Sequence, residues 1–151
     1  MDYIVYVDAM AGDIERILDR SKTMLAAGTS PRDSFFDRMQ EGDCLYLTPD
    51  SISGKVELKA VVKNVIRTGK IDRSEARQWL NQYQPRLQLT QRQWKKLERS
   101  KSLSFIEVDS VERIDPFPFN RILYGQYNDW IPVKNIESVK KIVNKDPEGG
   151  I

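Results

Sequence analysis

Alternation of apolar and polar positions predicts two long strands in this chain. Between residues 56 and 67 the apolar side chains of Leu58, Ala60 and Val62 stand at every second position, and a similar pattern runs through residues 103–114. Successive side chains of a strand point to opposite faces of the sheet. The pattern therefore favours two long antiparallel strands, each with one buried face.

Shorter elements fill the rest of the chain. Apolar and β-branched runs predict strands at residues 3–7, 22–27, 44–48 and 130–133. Helical periodicity predicts helices at residues 11–21 and from Ile136 onward. An Asp-x-x-Glu capping pattern begins a further helix at residues 72–81, and Thr90 caps one at residues 90–99. Strands with helices inserted between them indicate an α+β fold built on a small β-barrel, closed or partly open, with peripheral helices.

The length fits one domain. We expect a single domain over residues 1–145, with a helical insertion at about 72–102 and a flexible tail at 146–151, within the 151 residues of the chain. The amino terminus lacks the basic region of a signal peptide and carries Asp2 and Asp8, and no apolar run reaches the length of a membrane span. We therefore expect a cytoplasmic protein that does not enter a membrane.

The amino-acid composition limits which catalytic and metal-binding groups the chain can contain. The chain has no histidine, one cysteine (Cys44) and a net charge of only +2. This excludes histidine bases, Ser-His and Cys-His nucleophile pairs, and ordinary zinc sites, which need several Cys or His ligands. We expect no metal and no cofactor, and no complete catalytic constellation identifies catalytic residues.

Three segments together resemble the ASCH branch of the PUA-like superfamily. They are Ser21-Lys22-Thr23, the strand entry at 41–47 (EGDCLYL) and the strand at 56–66. The ring- and amide-rich segment at 124–130 (YGQYNDW), with the helix after it, resembles a group of uncharacterised bacterial ASCH-like proteins. The resemblance implies a PUA-like β-barrel and a binding module for RNA or a nucleotide-like ligand. It also implies that Lys22 lies in the cleft between the barrel and the first helix.

The chain departs from the family's G-x-K-x-x-E-x-R motif at three positions. Ser21 stands for the glycine, Leu25 for the glutamate and Ala27 for the arginine, so only Lys22 remains. Some ASCH-like proteins are amidohydrolases of acetylated cytidine, in which a lysine works with a threonine three residues later. Leu25 has no hydroxyl, and this favours binding over that catalysis.

The resemblance leads to a predicted ligand cleft. We expect Lys22 to be partly buried beside Thr23, with a cation and aromatic rings nearby. A flat polar ligand needs a stacking surface, a cation and a few orienting hydrogen bonds. The predicted ligand-binding residues are Lys22, Thr23, Arg32, Tyr124, Tyr127 and Asn128. Alternatively, Lys22 is a solvated lysine at a helix end, and the rings of residues 124–130 are core. The loop at residues 28–32 (GTSPR) carries hydroxyls and a guanidinium suited to anions, or is an ordinary surface loop.

A second candidate site is the basic part of the helical insertion. Residues 84–103 carry six cations against the single carboxylate of Glu98, a net charge of +5. Trp79, Tyr83 and Trp94 interleave with them, and cations with rings are the usual means of binding single-stranded RNA. The predicted nucleic-acid-binding residues are Arg86, Arg92, Lys95, Lys96, Arg99 and Lys101. Alternatively, this is a solvated helical face whose rings pack onto the barrel.

Three functions stay open at this point. The first is a module that binds RNA or a nucleotide-like ligand. The second is a small metal-independent hydrolase acting on a modified nucleoside, with Lys22 activating Thr23 or a water. The third is an interaction protein without its own ligand. The missing hydroxyl at position 25 and the absence of histidine favour the first.

Overall fold

The computed structural model describes residues 1–51 and 54–144, and at residues 31–32 and 141–144 it describes the backbone alone. The tail predicted at 146–151 lies outside the described residues. The strands are β1 (Asp2–Val7), β2 (Met24–Gly28), β3 (Cys44–Pro49), β4 (Val56–Lys70), β5 (Ser102–Phe117) and β6 (Trp130–Lys134). The α-helices are α1 (Asp13–Leu18), α2 (Arg73–Leu87), α3 (Gln91–Leu97) and α4 (Ile136–Asn144), and 3-10 turns run over Pro31–Asp37 and Arg121–Tyr124.

The six strands form one sheet in the order β2-β5-β4-β3-β1-β6. β1 pairs with β3 in parallel and with β6 in antiparallel register, and β2 pairs with β5 in antiparallel register. One six-stranded sheet together with four α-helices confirms the predicted α+β class.

β4 follows the alternation that predicted it. Val56, Leu58, Ala60 and Val62 are buried, and the residues between them are partly exposed. The alternation stops after Val62, where two consecutive side chains are exposed. The apolar pattern thus specifies the register of the first half of the strand, because a shift by one residue would expose all four buried side chains.

The helices differ in length from the sequence prediction. α1 ends at Leu18 rather than at residue 21, because Arg20 takes a positive φ of 68° that an α-helix does not allow. α2 continues six residues beyond the predicted end and contains Pro85. Leu87 in its last turn is fully buried, so packing of that side chain outweighs the proline's missing hydrogen bond.

The chain divides into two compact units. The first contains residues 1–14, 43–61 and the chain from Ser110 onward. Its core is a cluster of buried apolar side chains from β1, β3, β4, β6 and α4: Ile4, Tyr46, Val56, Ile131, Val133, Ile136 and Val139. Asp2 accepts a hydrogen bond from the backbone N–H of Ile136 at 2.8 Å, which anchors the start of α4.

The second unit contains residues 15–42 and 62–109. Its core cluster joins α2 to β2 and β5: Met24, Ile71, Ala76, Leu80, Leu87, Leu103 and Phe105. Arg67 holds the 3-10 turn of this unit, because its guanidinium donates to the carbonyls of Phe36 and Met39. The prediction of one domain over residues 1–145 stays a prediction.

Candidate nucleic-acid interface

The α2 and α3 helices of the second unit are each fixed at the start by a capping box. Asp72 accepts a hydrogen bond from the N–H of Glu75 at 2.8 Å, and the Glu75 carboxylate accepts one from the N–H of Asp72 at 3.1 Å. Thr90 and Gln93 exchange the equivalent pair at 3.2 and 2.9 Å. Between the helices Gln88 adopts the left-handed conformation that ends α2. Both predicted capping patterns are therefore present.

The aromatic rings of this helical region lie on the core of their unit. The rings of Trp79 and Tyr83 have centroids 6.1 and 5.0 Å from that of Phe105, which is fully buried. Trp94 is also packed against this cluster and is only partly exposed. These contacts are the packing that the sequence offered as the alternative to base stacking. The rings orient the helices and leave the charged side chains on the outside.

Glu98 is the one carboxylate within the basic segment, and two arginines of α2 bind it. Arg73 Nη2 lies 2.6 Å from Glu98 Oε1, and Arg77 Nε lies 3.1 Å from Oε2. The hydrogen bonds from Arg73 and then Arg77 hold the pKa of the Glu98 carboxyl below its usual value. Glu98 is itself buried, whereas both arginines are exposed over more than half of their side chains. Its negative charge is therefore neutralised from outside by cations.

The remaining cations of the segment face solvent. We use the name basic surface for the exposed side chains of Arg92, Lys95, Lys96, Arg99 and Lys101. Among the residues that the structure describes, none of these five takes part in an ion pair. Arg86 differs from them, because its Nη1 lies 3.1 Å from the carboxylate of Glu107 on β5. The positive charges of the basic surface are thus available to bind an anionic partner.

Lys22 is not at the surface. Its side chain is only 2% exposed, and its ammonium group donates a hydrogen bond to the carbonyl of Leu87 at the end of α2. Arg16 Nη1 donates to the carbonyl of Gln88 at 3.3 Å. The last carbonyls of a helix lack partners within the helix, and cations near them are favourable. Lys22 and Arg16 therefore cap α2, a role that the sequence did not indicate because the carbonyl lies 65 residues away.

The backbone of Thr23, the residue after Lys22, also contacts the end of α2. Its N–H donates to the carbonyl of Arg86, and its carbonyl accepts from Val108, both at 3.0 Å. The side chain of Arg32 lies outside the described side chains. Lys22 and Thr23 belong to the second unit, whereas Tyr124, Tyr127 and Asn128 belong to the first. The convergence of these residues on one ligand cleft stays a prediction.

The first unit carries a group of aromatic rings around Arg121. The Arg121 guanidinium carbon lies 4.2 Å from the centre of the Tyr6 ring, a cation–π distance. Phe119 stacks on Tyr124 with ring centroids 5.2 Å apart, and its centroid is 6.3 Å from that of Tyr6. Tyr127 packs against the same core cluster. The rings of Tyr6, Phe119, Tyr124 and Tyr127 are all partly exposed. Each ring therefore packs against the core over part of its surface and leaves another part accessible to solvent.

Arg121 is fixed by polar contacts as well as by the ring. Its Nη2 donates to the carbonyl of Asn128 at 3.0 Å and to a carboxylate oxygen of Asp129 at 3.2 Å. The backbone N–H of Tyr6 donates to the carbonyl of Asp129 at 2.8 Å. Sequence reasoning selected Tyr124, Tyr127 and Asn128 but missed Arg121, Tyr6 and Phe119. The sequence signal that could have identified this group is Arg121, a single arginine just before the ring-rich segment at 124–130.

The environment of Tyr6 shifts its ionisation. Burial raises the pKa of the Tyr6 hydroxyl, and the nearby carboxylates of Asp50 and Asp129 raise it further. The Arg121 cation acts in the opposite direction, because it stabilises the phenolate. Tyr6 therefore keeps its proton at neutral pH and is a hydrogen-bond donor as well as a ring.

The structure also bears on metals and membranes. Over residues 1–51 and 54–144, no group of three or more His, Cys, Asp or Glu side chains is arranged to hold a metal ion. The described helices include none of the length and apolarity that a membrane crossing requires.

Comparisons with known proteins identify the fold. No family model and no curated protein matches the chain. ASCH from Zymomonas mobilis matches with a TM-score of 0.65 at 10% sequence identity, over 93% of each chain. Two mutant forms of that protein match equally well. The N-terminal domain of Staphylothermus marinus McrB matches with a TM-score of 0.52 at 8% identity, over 96% of this chain and 93% of that one. At these identities the likeness concerns the fold alone, and the chain accordingly has an ASCH-like fold, as the sequence resemblance predicted.

Proposed function

We propose that this protein binds single-stranded RNA through the basic surface of its second unit. The observation that carries the proposal is the charge arrangement around α3. Five exposed cations have no ion pair among the described residues, and the one carboxylate of the segment, Glu98, is buried under Arg73 and Arg77. Proteins more often intersperse opposite charges on their surfaces than concentrate one sign without a reason.

The chemistry of the basic surface fits a phosphate backbone. Lysine and arginine contribute to RNA affinity by neutralising phosphates and releasing counterions. Trp79, Tyr83 and Trp94 are packed against the core, so this surface offers charge more than stacking. The expected binding is therefore sensitive to salt and tolerant of sequence, because phosphate contacts carry no information about the bases.

The test is a double charge reversal with a matched control. Lys95→Glu/Lys96→Glu is expected to weaken binding of a single-stranded RNA by about tenfold or more at low salt, since at least two phosphate contacts become repulsive. Lys55→Glu/Arg113→Glu makes the same change in net charge on two exposed cations of the first unit. We expect it to leave the affinity within about twofold of wild type. Equal losses in both variants would mean that net charge matters and the basic surface does not.

A second candidate is a nucleotide-like ligand at the aromatic group of the first unit. The partly exposed rings of Tyr6, Phe119 and Tyr124 beside the Arg121 guanidinium offer a stacking surface and a cation within one unit. Tyr127 and Asn128, predicted from the sequence, adjoin this group through Tyr124 and Arg121. A screen of nucleosides and nucleotides by thermal shift, on wild type and Tyr124→Ala, tests it. Equal shifts in both proteins would remove these rings from the proposal.

A ligand cleft around Lys22, which the sequence predicted, is less well supported than the basic surface or the aromatic group. The Lys22 ammonium already donates to the carbonyl of Leu87, so a ligand would have to share or replace that contact. The same contact disfavours the alternative of a hydrolase in which Lys22 activates Thr23 or a water. Binding, rather than catalysis, is the function that these side chains support best.

A further inference from the structure

The turn after β2 lies against the turn that precedes β5, both within the second unit. Gly28 is paired with Leu103 in the β2–β5 register, and the N–H of Thr29 donates to the carbonyl of Ser102 at 3.0 Å. Gly28 and Thr29, the first two residues of the loop that the sequence marked as suited to anions, thereby lie beside Ser102 and Leu103 at the end of the basic segment. Thr29 and Ser102 are 73 positions apart in the chain.

Gly28 makes room for the hydroxyl of Ser100. A Cβ atom built on Gly28 would lie 2.3 Å from Ser100 Oγ, which is far inside any allowed contact. The backbone of Gly28 is not in the left-handed region, where only glycine is comfortable. Position 28 therefore lacks a side chain because Ser100 occupies that space, and not because a turn requires the conformational freedom of glycine.

The hydroxyls of Thr29 and Ser102 are occupied by one another. Ser102 Oγ donates to the carbonyl of Thr29 at 2.9 Å. Since a hydroxyl has a single hydrogen, Thr29 Oγ1 is the donor in its 2.6 Å contact with Ser102 Oγ. This closed pair fastens the loop to β5. Ser100 Oγ, by contrast, is half-exposed and has no hydrogen-bond partner among the residues that the structure describes.

Ser100 has cationic residues on both sides in the chain, because Arg99 and Lys101 are its sequence neighbours and belong to the basic surface. The backbone of Ile71, which directly follows Lys70 at the end of β4, is joined to Lys101, since the Ile71 N–H donates to the Lys101 carbonyl at 2.8 Å. Lys70 is exposed and forms no ion pair among the described residues.

The acidic residues near this turn are engaged elsewhere. Asp33 accepts hydrogen bonds from the N–H and the hydroxyl of Ser30, at 3.1 and 3.0 Å. Asp72 accepts from the N–H of Glu75 in the capping box of α2. Neither carboxylate is paired with Arg99, Lys101 or Lys70 within the described part of the chain.

We infer that Ser100, with Arg99, Lys101 and Lys70, binds a phosphoryl group. The hydroxyl donates one hydrogen bond to a phosphoryl oxygen, and the cations supply the charge, which is the combination that strengthens such contacts. The inference deepens the proposed function, on which it rests, by assigning one phosphate of the bound RNA to a defined position. The same chemistry suits an internal phosphodiester and a terminal phosphate.

The test compares Ser100→Ala with Ser74→Ala, an exposed serine of α2 in the same unit. Binding of two single-stranded RNAs is measured, one with a 5′-phosphate and one with a 5′-hydroxyl. We expect Ser100→Ala to weaken binding about tenfold, the scale of one hydrogen bond to a charged group, and Ser74→Ala to change nothing. A loss with both RNAs assigns an internal phosphodiester, and a loss with the phosphorylated RNA alone assigns the terminal phosphate.

The outcomes separate this inference from the proposed function. If Ser100→Ala binds both RNAs as tightly as wild type while the Lys95/Lys96 reversal weakens them, the phosphoryl site is wrong and the basic surface stands. If the wild type binds no RNA, the proposed function is wrong. An NMR titration with inorganic phosphate then tests the phosphoryl site independently of RNA. Shifts of the Gly28, Thr29 and Ser100 amides in wild type that vanish in Ser100→Ala would support it, and their absence in wild type would overturn it.

Discussion

Arg73 of α2 donates a hydrogen bond to Glu98, which directly follows α3, with 2.6 Å between Nη2 and Oε1. The contact ties the two helices of the basic segment together. It also removes the segment's one negative charge from the surface, because Glu98 is buried and Arg73 covers it. The ion pair thus supports the local structure, while the exposed cations of the basic surface, which have no ion pair among the described residues, supply the positive potential that the proposed function requires.

Glu98 makes stability depend on pH in a defined direction. Its folded-state pKa is lowered, first by the hydrogen bond from Arg73 and then by that from Arg77. A carboxyl with a depressed pKa stabilises the fold above its unfolded pKa, and this contribution is lost as the pH falls through the folded value. We expect Glu98→Gln to be less stable than wild type in urea unfolding at neutral pH, with the difference shrinking on acidification. A difference that grows as the pH falls would contradict the assignment.

The same substitution is expected to strengthen RNA binding. Glu98→Gln removes a negative charge from beneath Arg73 and Arg77 and releases both guanidinium groups toward solvent. The effect opposes that of Lys95→Glu/Lys96→Glu, although both variants alter the same helical region. Titration of labelled single-stranded RNA at low salt measures it. Weaker binding by a folded Glu98→Gln protein would show that the position of α3, rather than its charge, controls affinity.

Lys22 is expected to matter for stability. Lys22→Met keeps much of the side-chain volume but leaves the buried Leu87 carbonyl without its donor. An unsatisfied buried polar group costs about 1–3 kcal/mol, and we expect a loss of that size in the free energy of unfolding. Lys55→Met, at an exposed position, is the control and should be nearly neutral. Equal stability of the two variants would argue against a capping role for Lys22.

Arg121 is expected to control the ionisation of Tyr6. The guanidinium favours the phenolate, so Arg121→Gln should raise the pKa of Tyr6 above its already elevated value. NMR titration of the Tyr6 ring carbons at alkaline pH measures the shift, with Arg113→Gln as a control at an exposed site of the same unit. An unchanged or lower pKa in Arg121→Gln would mean that the cation does not lie over the ring.

The sequence predicted the elements whose signals are local. The alternation in β4 and the capping boxes of Asp72 and Thr90 each depend on residues within a few positions of one another. Contacts between distant segments were not predictable in this way. The burial of Lys22 depends on a carbonyl of α2, and the position of Ser100 depends on a glycine at the end of β2. The end of α2 was missed because burial of Leu87 outweighs the local signal of Pro85.

The salt dependence of RNA binding tests the central claim most directly. For single strands the slope of log Kobs against log salt concentration is about −0.7 for each phosphate neutralised. If all five cations of the basic surface contact phosphates, wild type should show a slope of roughly −3.5, and Lys95→Glu/Lys96→Glu one shallower by about 1.4. The control Lys55→Glu/Arg113→Glu should keep the wild-type slope. A wild-type slope near zero, or equal slopes in wild type and the Lys95/Lys96 variant, would contradict the account.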